Sequence, residues 1–397
     1  MKAKANNHTE LKRLSARWII PVKGDPIPNG CIVTHSQSVQ FIGSIEEASS
    51  RFPEAERIHH PGKAILPGLV NAHCHLDNGF LKNQITLPHD ETFFDWIRKV
   101  IATQRVIPHD KKKEGMVQGV AQLKESGTVA VGDITHDPFT LSLLREAGLA
   151  AVCFHEVVGF LPEEAEDIYR DKRECLAKFG KSPGLTHYIS PHAPYSASRE
   201  LLRKIAEGRE RVAFHLAESR DEVEFLQRGN KKMEEILKAL GKWDENWKPP
   251  GLSPIRYFHE AGLLHHRAVA VHMVYVAEED YPILEETKPN ICLCPRGNTR
   301  LKNGLPPVRA YREMGLNLCL GTDGLGSNED LSLLNEMRYL KKCFPDLEDA
   351  AIVRMGTVGG AVALGLEERF GVIEPGKADK FLIVDCAGEE EGPYSFL

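Results

Sequence analysis

Residues 64–77, AILPGLVNAHCHLD, decide the fold. A short apolar run ends abruptly in NAHCHLD, the pattern of a buried strand whose last residues meet a polar site. In an extended segment residues i and i+2 share a face, so His73 and His75 can reach one point in space. Downstream the same texture recurs. Eight apolar runs, each followed by a helix-like segment, are read as strands: Ala64–His73, Thr128–Ile134, Ala150–Val158, Thr186–Pro191, Val212–Leu216, Ala268–His272, Ile291–Cys294 and Leu316–Gly321. Amphipathic stretches such as Lys111–Glu125 and Arg199–Glu207 fill the intervals with apolar residues at three- and four-residue spacing. Strands alternating with helices in this number predict an α/β fold, a closed (β/α)8 barrel. Upstream, short alternating pieces such as Trp18–Val22 and Cys31–Thr34, punctuated by Gly and Pro, predict small β-strands. Gly371–Asp385, GVIEPGKADKFLIVD, returns to that texture and is expected to rejoin the N-terminal strands. The expected division is a small domain of residues 1–63 with 358–397, and a barrel over 64–357.

Composition narrows the function classes. The 397 residues exceed one ordinary compact core, and 42% hydrophobic with 27% charged residues is a usual globular balance. A formal charge of -6 gives no reason to expect nucleic acid or an anionic membrane as partner. No run approaches the ~20 apolar residues of a membrane helix; Ala268–Val276 is interrupted by His272. The opening MKAKANNHTELKR has no apolar stretch of the kind that marks export, and nine scattered cysteines do not suggest a disulfide framework. A cytoplasmic location is expected. Cys292 and Cys294 are not expected to form a metal pair, and Glu389–Glu391 is a short acidic run.

Active-site groups of such a barrel come from the C-terminal ends of its strands. Besides His73 and His75, strand five ends in FHLAES with His215 and, three residues on, Glu218. Strand six ends at His272, and strand eight in LGTDG with Asp323. Singly each piece is weak. An HxH pair is more often structural, one histidine at a strand end is usually a satisfied core residue, and Asp beside Gly favours a turn. Four strands delivering ligand-type residues at the same end is the stronger observation. His59, His60, His89, His109, His265 and His266 stay outside that set. Three imidazoles and a carboxylate suit one divalent ion, zinc first and iron second, with a position left for water. At the mouth PHAPYS places His192, TFFDWIRKVI offers Phe93, Phe94 and Trp96 as an apolar wall, and CPRGN presents Arg296.

From PGLVNAHCH through SPHAPYS, HLAES, VHM, CPRGN and LGTDG to GVIEPGKADKFLIVD, the chain resembles the amidohydrolase superfamily, in its cytosine deaminase and chlorohydrolase-like branch. The resemblance implies a (β/α)8 barrel flanked by a β-sandwich built from both chain ends. It assigns His73, His75, His215 and Asp323 to the metal, Glu218 to proton shuttling at a ring nitrogen, and His272 to orienting the nucleophilic water. Asp323, beside that water, is expected to take its proton. Binuclear relatives carry a carboxylated lysine at the end of strand four. Here that strand reads THYISPHAPYS with Lys181 before it, so one metal is expected. F-x-x-W, CPRxN and TDGLGSN followed by LSLLNEMR look most like the aminodeoxyfutalosine deaminases of the futalosine route to menaquinone. Next come the methylthioadenosine and S-adenosylhomocysteine deaminases, then other deaminases and chlorohydrolases of the branch. Arg296 is expected to meet the substrate carboxylate, with His192 and Trp96 also contacting substrate. A small nucleoside or heterocycle is the expected partner, with a homodimer as an admissible assembly. A non-catalytic binding protein is disfavoured because the ligand set is complete. Relatives continue beyond the VD of the last strand, whereas this chain ends about a dozen residues later, so the C-terminal part of the sandwich is expected to be short.

Overall fold

Alternation at the start of the chain produces four strands: β1 (Lys12–Ile19), β2 (Ile27–His35), β3 (Ser38–Ser44) and β4 (Glu56–Pro67). They are seen in a computed structural model that describes residues 11–179, 183–386 and 392–397; Lys181, Glu389–Glu391 and the first ten residues lie outside the described residues. β2 and β3 are joined by Ser36 and Gln37, both with positive φ, the backbone of a two-residue hairpin turn that matches strand twist. β1 pairs antiparallel with β2 and parallel with β4. Ala16, Ile32 and Ile65 pack on one side of this sheet, and Cys31, Val33 and Phe41 on the other.

The run Ala64–His73 does not form one strand. Ala64–Pro67 completes β4, and β5 (Leu69–His75) begins beyond Gly68. A Cβ on Gly68 would lie 2.3 Å from a methyl of Val129, so the chain crosses between layers where only glycine fits. β5 is buried at all seven positions. Strands covered on both faces need apolar side chains on both, and so they read as continuous runs. β6 (Thr128–Thr135), β7 (Ala150–Val157) and β8 (Leu185–Pro191) follow β5 as parallel neighbours. β9 (Val212–Leu216), β10 (Ala268–His272), β11 (Asn290–Leu293) and β12 (Leu318–Leu320) form a second parallel arc. β13 (Asp323–Gly324) continues past β12 and pairs with β5. The arcs meet at two seams, where His215 N donates to His192 O at 2.9 Å and Thr322 N to His73 O at 3.0 Å. The fold is therefore α/β with an eight-position parallel barrel.

The helices follow their sequence signals. Arg199–Glu207 begins at Ser198, whose Oγ accepts from Leu201 N at 3.3 Å, and buries Leu201, Leu202 and Ile205. Lys111–Glu125 lies within a helix His109–Glu125. Ala361, Ala363 and Leu364 of the helix Gly360–Leu364 share a buried cluster with Val70 and Ala72, so the barrel's coat runs past residue 357. β14 (Phe381–Asp385) then returns antiparallel to β4, Ile383 opposite Ile65, giving a five-stranded sheet of order β14-β4-β1-β2-β3. Among the described residues no helix is long and apolar enough to cross a membrane. Cys292 and Cys294, two apart and so on one face, are buried with Cys319 among apolar neighbours. Burial pushes the Cys294 thiol up to about 11.

Candidate active site

Every residue assigned to the metal stands at the C-terminal end of a strand. His73 and His75 close β5, where the pairing with β6 shifts register between Asn71 and Cys74. A bulge of this kind re-aims side chains. His215 lies in β9, His272 ends β10 and Asp323 opens β13. The backbone around them is strained: Ala217, His272, Met273 and Asp323 all have φ between +49° and +72°. Such positions cost about 1–3 kcal/mol each and persist where the surroundings over-determine them.

The ligand atoms converge. His73 Nε2 and His75 Nε2 lie 3.4 Å and 3.5 Å from Asp323 Oδ1, and the Nε2 atoms of His75 and His215 are 3.1 Å apart. Both ring nitrogens of buried His73, and Nδ1 of His75, have no hydrogen-bond partner. Buried polar atoms are normally satisfied, so the orphaned His73 Nε2 facing the Asp323 carboxylate fits a cation. Burial, then His73, lowers His75 to about 3, and burial lowers His272 to about 4, leaving neutral imidazoles as a metal requires. Burial opposes charge on Asp323, but His73, His75 and His272 outweigh it and hold the carboxylate well below its usual range. Asp323 Oδ2 also accepts from the Ser327 hydroxyl.

Glu218 is driven the other way. Burial first, then Asp323 and Glu222, push its carboxyl well above the usual range. It lies 3.6 Å from His215 Nδ1 and from His272 Nε2, and Asn303 Nδ2 donates to it at 3.4 Å. Glu222 holds the HLAES turn, accepting from Ala217 N and Glu218 N at 2.8 Å each. His272 makes a contact that was not expected from sequence. Its Nδ1 meets Asn298 Oδ1 at 2.7 Å, leaving the Nε2 lone pair 2.9 Å from His215 Nδ1. With Asn298 as acceptor this chain sets both tautomers and turns His215 Nε2, as a lone pair, toward the cluster. A further triplet, Glu156, His192 and His215, lies alongside. Two of its groups are engaged, Glu156 Oε2 with His136 at 2.9 Å and His192 Nδ1 with Ser196 Oγ at 2.8 Å.

The cluster opens into a cavity of about 1150 Å³ lined by His75, His192, His215, Glu218 and Asp323, with Phe93, Trp96 and Tyr195. Ile97, Val100 and Ile101 carry the apolar wall outward, with Met233, Ile236 and Leu240. Phe93 and Trp96 stack at 5.8 Å on the helix Phe93–Val106, which Asp221 Oδ2 ties down by accepting from Phe94 N at 2.9 Å. Two mouth residues read from sequence are placed elsewhere. Phe94 is fully buried against Tyr195 and Phe225. Arg296 is not among the lining residues: its guanidinium forks onto Asp330 at 2.8 and 3.0 Å, and it braces the loop after β13. A guanidinium matched to a neighbouring carboxylate has no free fork for a ligand. Asn298, two residues along the same CPRGN motif, is the member that reaches the site. Asn298, Glu222, Ser327 and Glu156 were not singled out from sequence. Glu156 carried the clearest signal, a carboxylate interrupting the apolar run AAVCFHEV at the end of β7.

The amidohydrolase family model matches residues 64–394. Among similar proteins is the 5-methylthioadenosine/S-adenosylhomocysteine deaminase of Symbiobacterium thermophilum, 29% identical over 93% of this chain and 84% of that protein. The aminodeoxyfutalosine deaminase of Deinococcus radiodurans is also 29% identical, over 86% of this chain and 82% of its own length. Among solved structures, a zinc-bound adenosine deaminase from Xanthomonas campestris superposes with a TM-score of 0.82 at 22% identity, over 98% of this chain and 88% of that one.

Proposed function

The chain belongs to the amidohydrolase family and is an enzyme of it, and from that premise we propose that it hydrolytically removes the 6-amino group of a purine ribonucleoside with an extended 5′ substituent. The observation that carries this reading is two buried carboxyl groups lining one cavity in opposed surroundings, Asp323 among imidazoles that pull it down and Glu218 pushed up by burial and two acidic neighbours. Separated carboxyl states of this sort mark acid and base roles. His73, His75, His215 and Asp323 would hold one divalent ion, zinc on the strength of the three-imidazole, one-carboxylate donor set. Such an ion supplies Lewis acidity and lowers the pKa of water toward ~7. Glu218 places its proton on the ring nitrogen next to C6, which makes that carbon more electrophilic. Asp323 takes a proton from the attacking water as the C6–O bond forms. That proton passes through Glu218 to the amino group, the C6–N bond breaks and ammonia leaves, while the remaining hydroxyl proton returns through Asp323 to Glu218 and a C6 carbonyl forms. His272 keeps His215 in its ligating tautomer and stands within reach of the water.

Aminodeoxyfutalosine is the substrate we place first, because the cavity exceeds what a bare nucleoside needs and its outer walls are apolar. With Arg296 engaged, Lys112 is the lining cation we assign to a substrate carboxylate. Similarity to 5-methylthioadenosine/S-adenosylhomocysteine deaminases favours those nucleosides second. The test is ammonia release from aminodeoxyfutalosine, methylthioadenosine, S-adenosylhomocysteine, guanine and cytosine. Turnover of the 5′-extended nucleosides with silence on the free bases is the expected result. The reverse order rejects the reading.

A further inference from the structure

Three consecutive strand ends build a polar wall that the chemistry above does not use. Asp77 follows β5, His136 follows β6 and Glu156 lies within β7. All three line the cavity. His136 joins the two carboxylates: its backbone N donates to Asp77 Oδ2 at 3.0 Å, and its Nε2 meets Glu156 Oε2 at 2.9 Å. Both carboxylates are more than nine-tenths buried, and Asp77 Oδ1 has no hydrogen-bond partner. A buried acceptor without a partner is unusual, and Asp77 is among the residues that line the cavity. The wall lies beside the reacting centre, since Glu156 offers an oxygen within 4.8 Å of ligand nitrogens of both His192 and His215.

We propose that the Asp77–His136–Glu156 wall is the subsite that accepts the vicinal hydroxyls of the substrate's ribose, with Glu156 as the residue that selects ribo- over deoxynucleosides. This rests on the nucleoside reading given above. Near the attacked ring, the ribose is the only part of such a substrate that offers two adjacent neutral O–H donors besides the amino group itself. A carboxylate accepts such a pair at its two oxygens, and its charge strengthens each bond. The 5′ substituent is then left to the apolar part of the cavity.

The test compares kcat/KM for adenosine and 2′,3′-dideoxyadenosine in the metal-loaded wild type and in Glu156→Gln. The wild type is expected to prefer the ribonucleoside by about tenfold to a hundredfold, the range of charged hydrogen bonds. Glu156→Gln is expected to erase most of that preference. A wild type that uses both substrates equally overturns the assignment, whether or not the variant folds. So does a Glu156→Gln that slows both substrates alike, the outcome for a residue that only supports the fold. Absence of ammonia from every nucleoside would instead reject the nucleoside reading, and this subsite with it.

Discussion

Glu218 and Asp323 sit beside the same imidazoles, and their surroundings drive them apart. For Asp323 three histidines outweigh burial, whereas Glu218 has burial and two acidic neighbours acting together. Glu218→Gln keeps the shape and removes the transferable proton. It is expected to retain the metal while turnover falls by roughly 10²–10⁴. Metal content and kcat measured on one preparation check this, and a variant with both intact would send the proton by another route. Arg296→Met is expected to behave as the loss of a brace. Stability in denaturant should fall by about 1–2 kcal/mol, with Asp330 partly exposed. Activity on nucleosides with and without a carboxylate should fall alike; a loss confined to the carboxylate-bearing substrate would restore Arg296 to the pocket. The convergence of His73, His75, His215 and Asp323 was legible because each ends an apolar run. Arg296 was misplaced because a sequence does not show that Asp330, thirty-four residues on, reaches it first.

At the level of elements, the cavity wall depends on how closely the helix His109–Glu125 approaches the turn Leu76–Leu81 after β5. A Cβ on Gly115 would fall 2.3 Å from Phe80 N. Gly115→Ala is therefore expected to destabilise by about 1–3 kcal/mol through overpacking, read as a lower midpoint in urea. The loop after β13 is held from beneath by Glu336 of the helix Leu333–Cys343, which accepts from Asn328 Nδ2 at 2.6 Å and Arg296 N at 3.1 Å. Burial raises Glu336 to about 8. Its unfolded counterpart loses a proton near ~4.3, so between these values the folded chain binds more protons and stability falls as pH rises. Thermal midpoints from pH 5 to 8 are expected to decline more steeply in the wild type than in Glu336→Gln; parallel slopes would contradict the assignment. Strand positions were readable from hydrophobic runs, and Arg199–Glu207 from its periodicity. The break at Gly68 was not, because the residues on either side, Ala64–Pro67 and Leu69–Val70, are equally apolar and only the close approach of Val129 marks the crossing.

Across the whole molecule, strands from both chain ends share one sheet against a barrel whose ligand-bearing strand ends all open on the same cavity. The barrel was legible because its eight apolar runs repeat. The Asp77–His136–Glu156 wall was not, since its members are about sixty and twenty residues apart in the chain and only the parallel pairing of β5, β6 and β7 brings them together. The proposed chemistry turns on one catalytic ion held by His73, His75, His215 and Asp323. β8 carries no lysine to bridge a second, and Glu156 and His192 are engaged by His136 and Ser196. The most direct test is to strip the enzyme with a chelator and titrate Zn²⁺ back while following ammonia release. Activity should climb linearly and break at one ion per chain, with Asp323→Ala recovering none. A break at two ions per chain, or full activity in the stripped enzyme, would contradict the account.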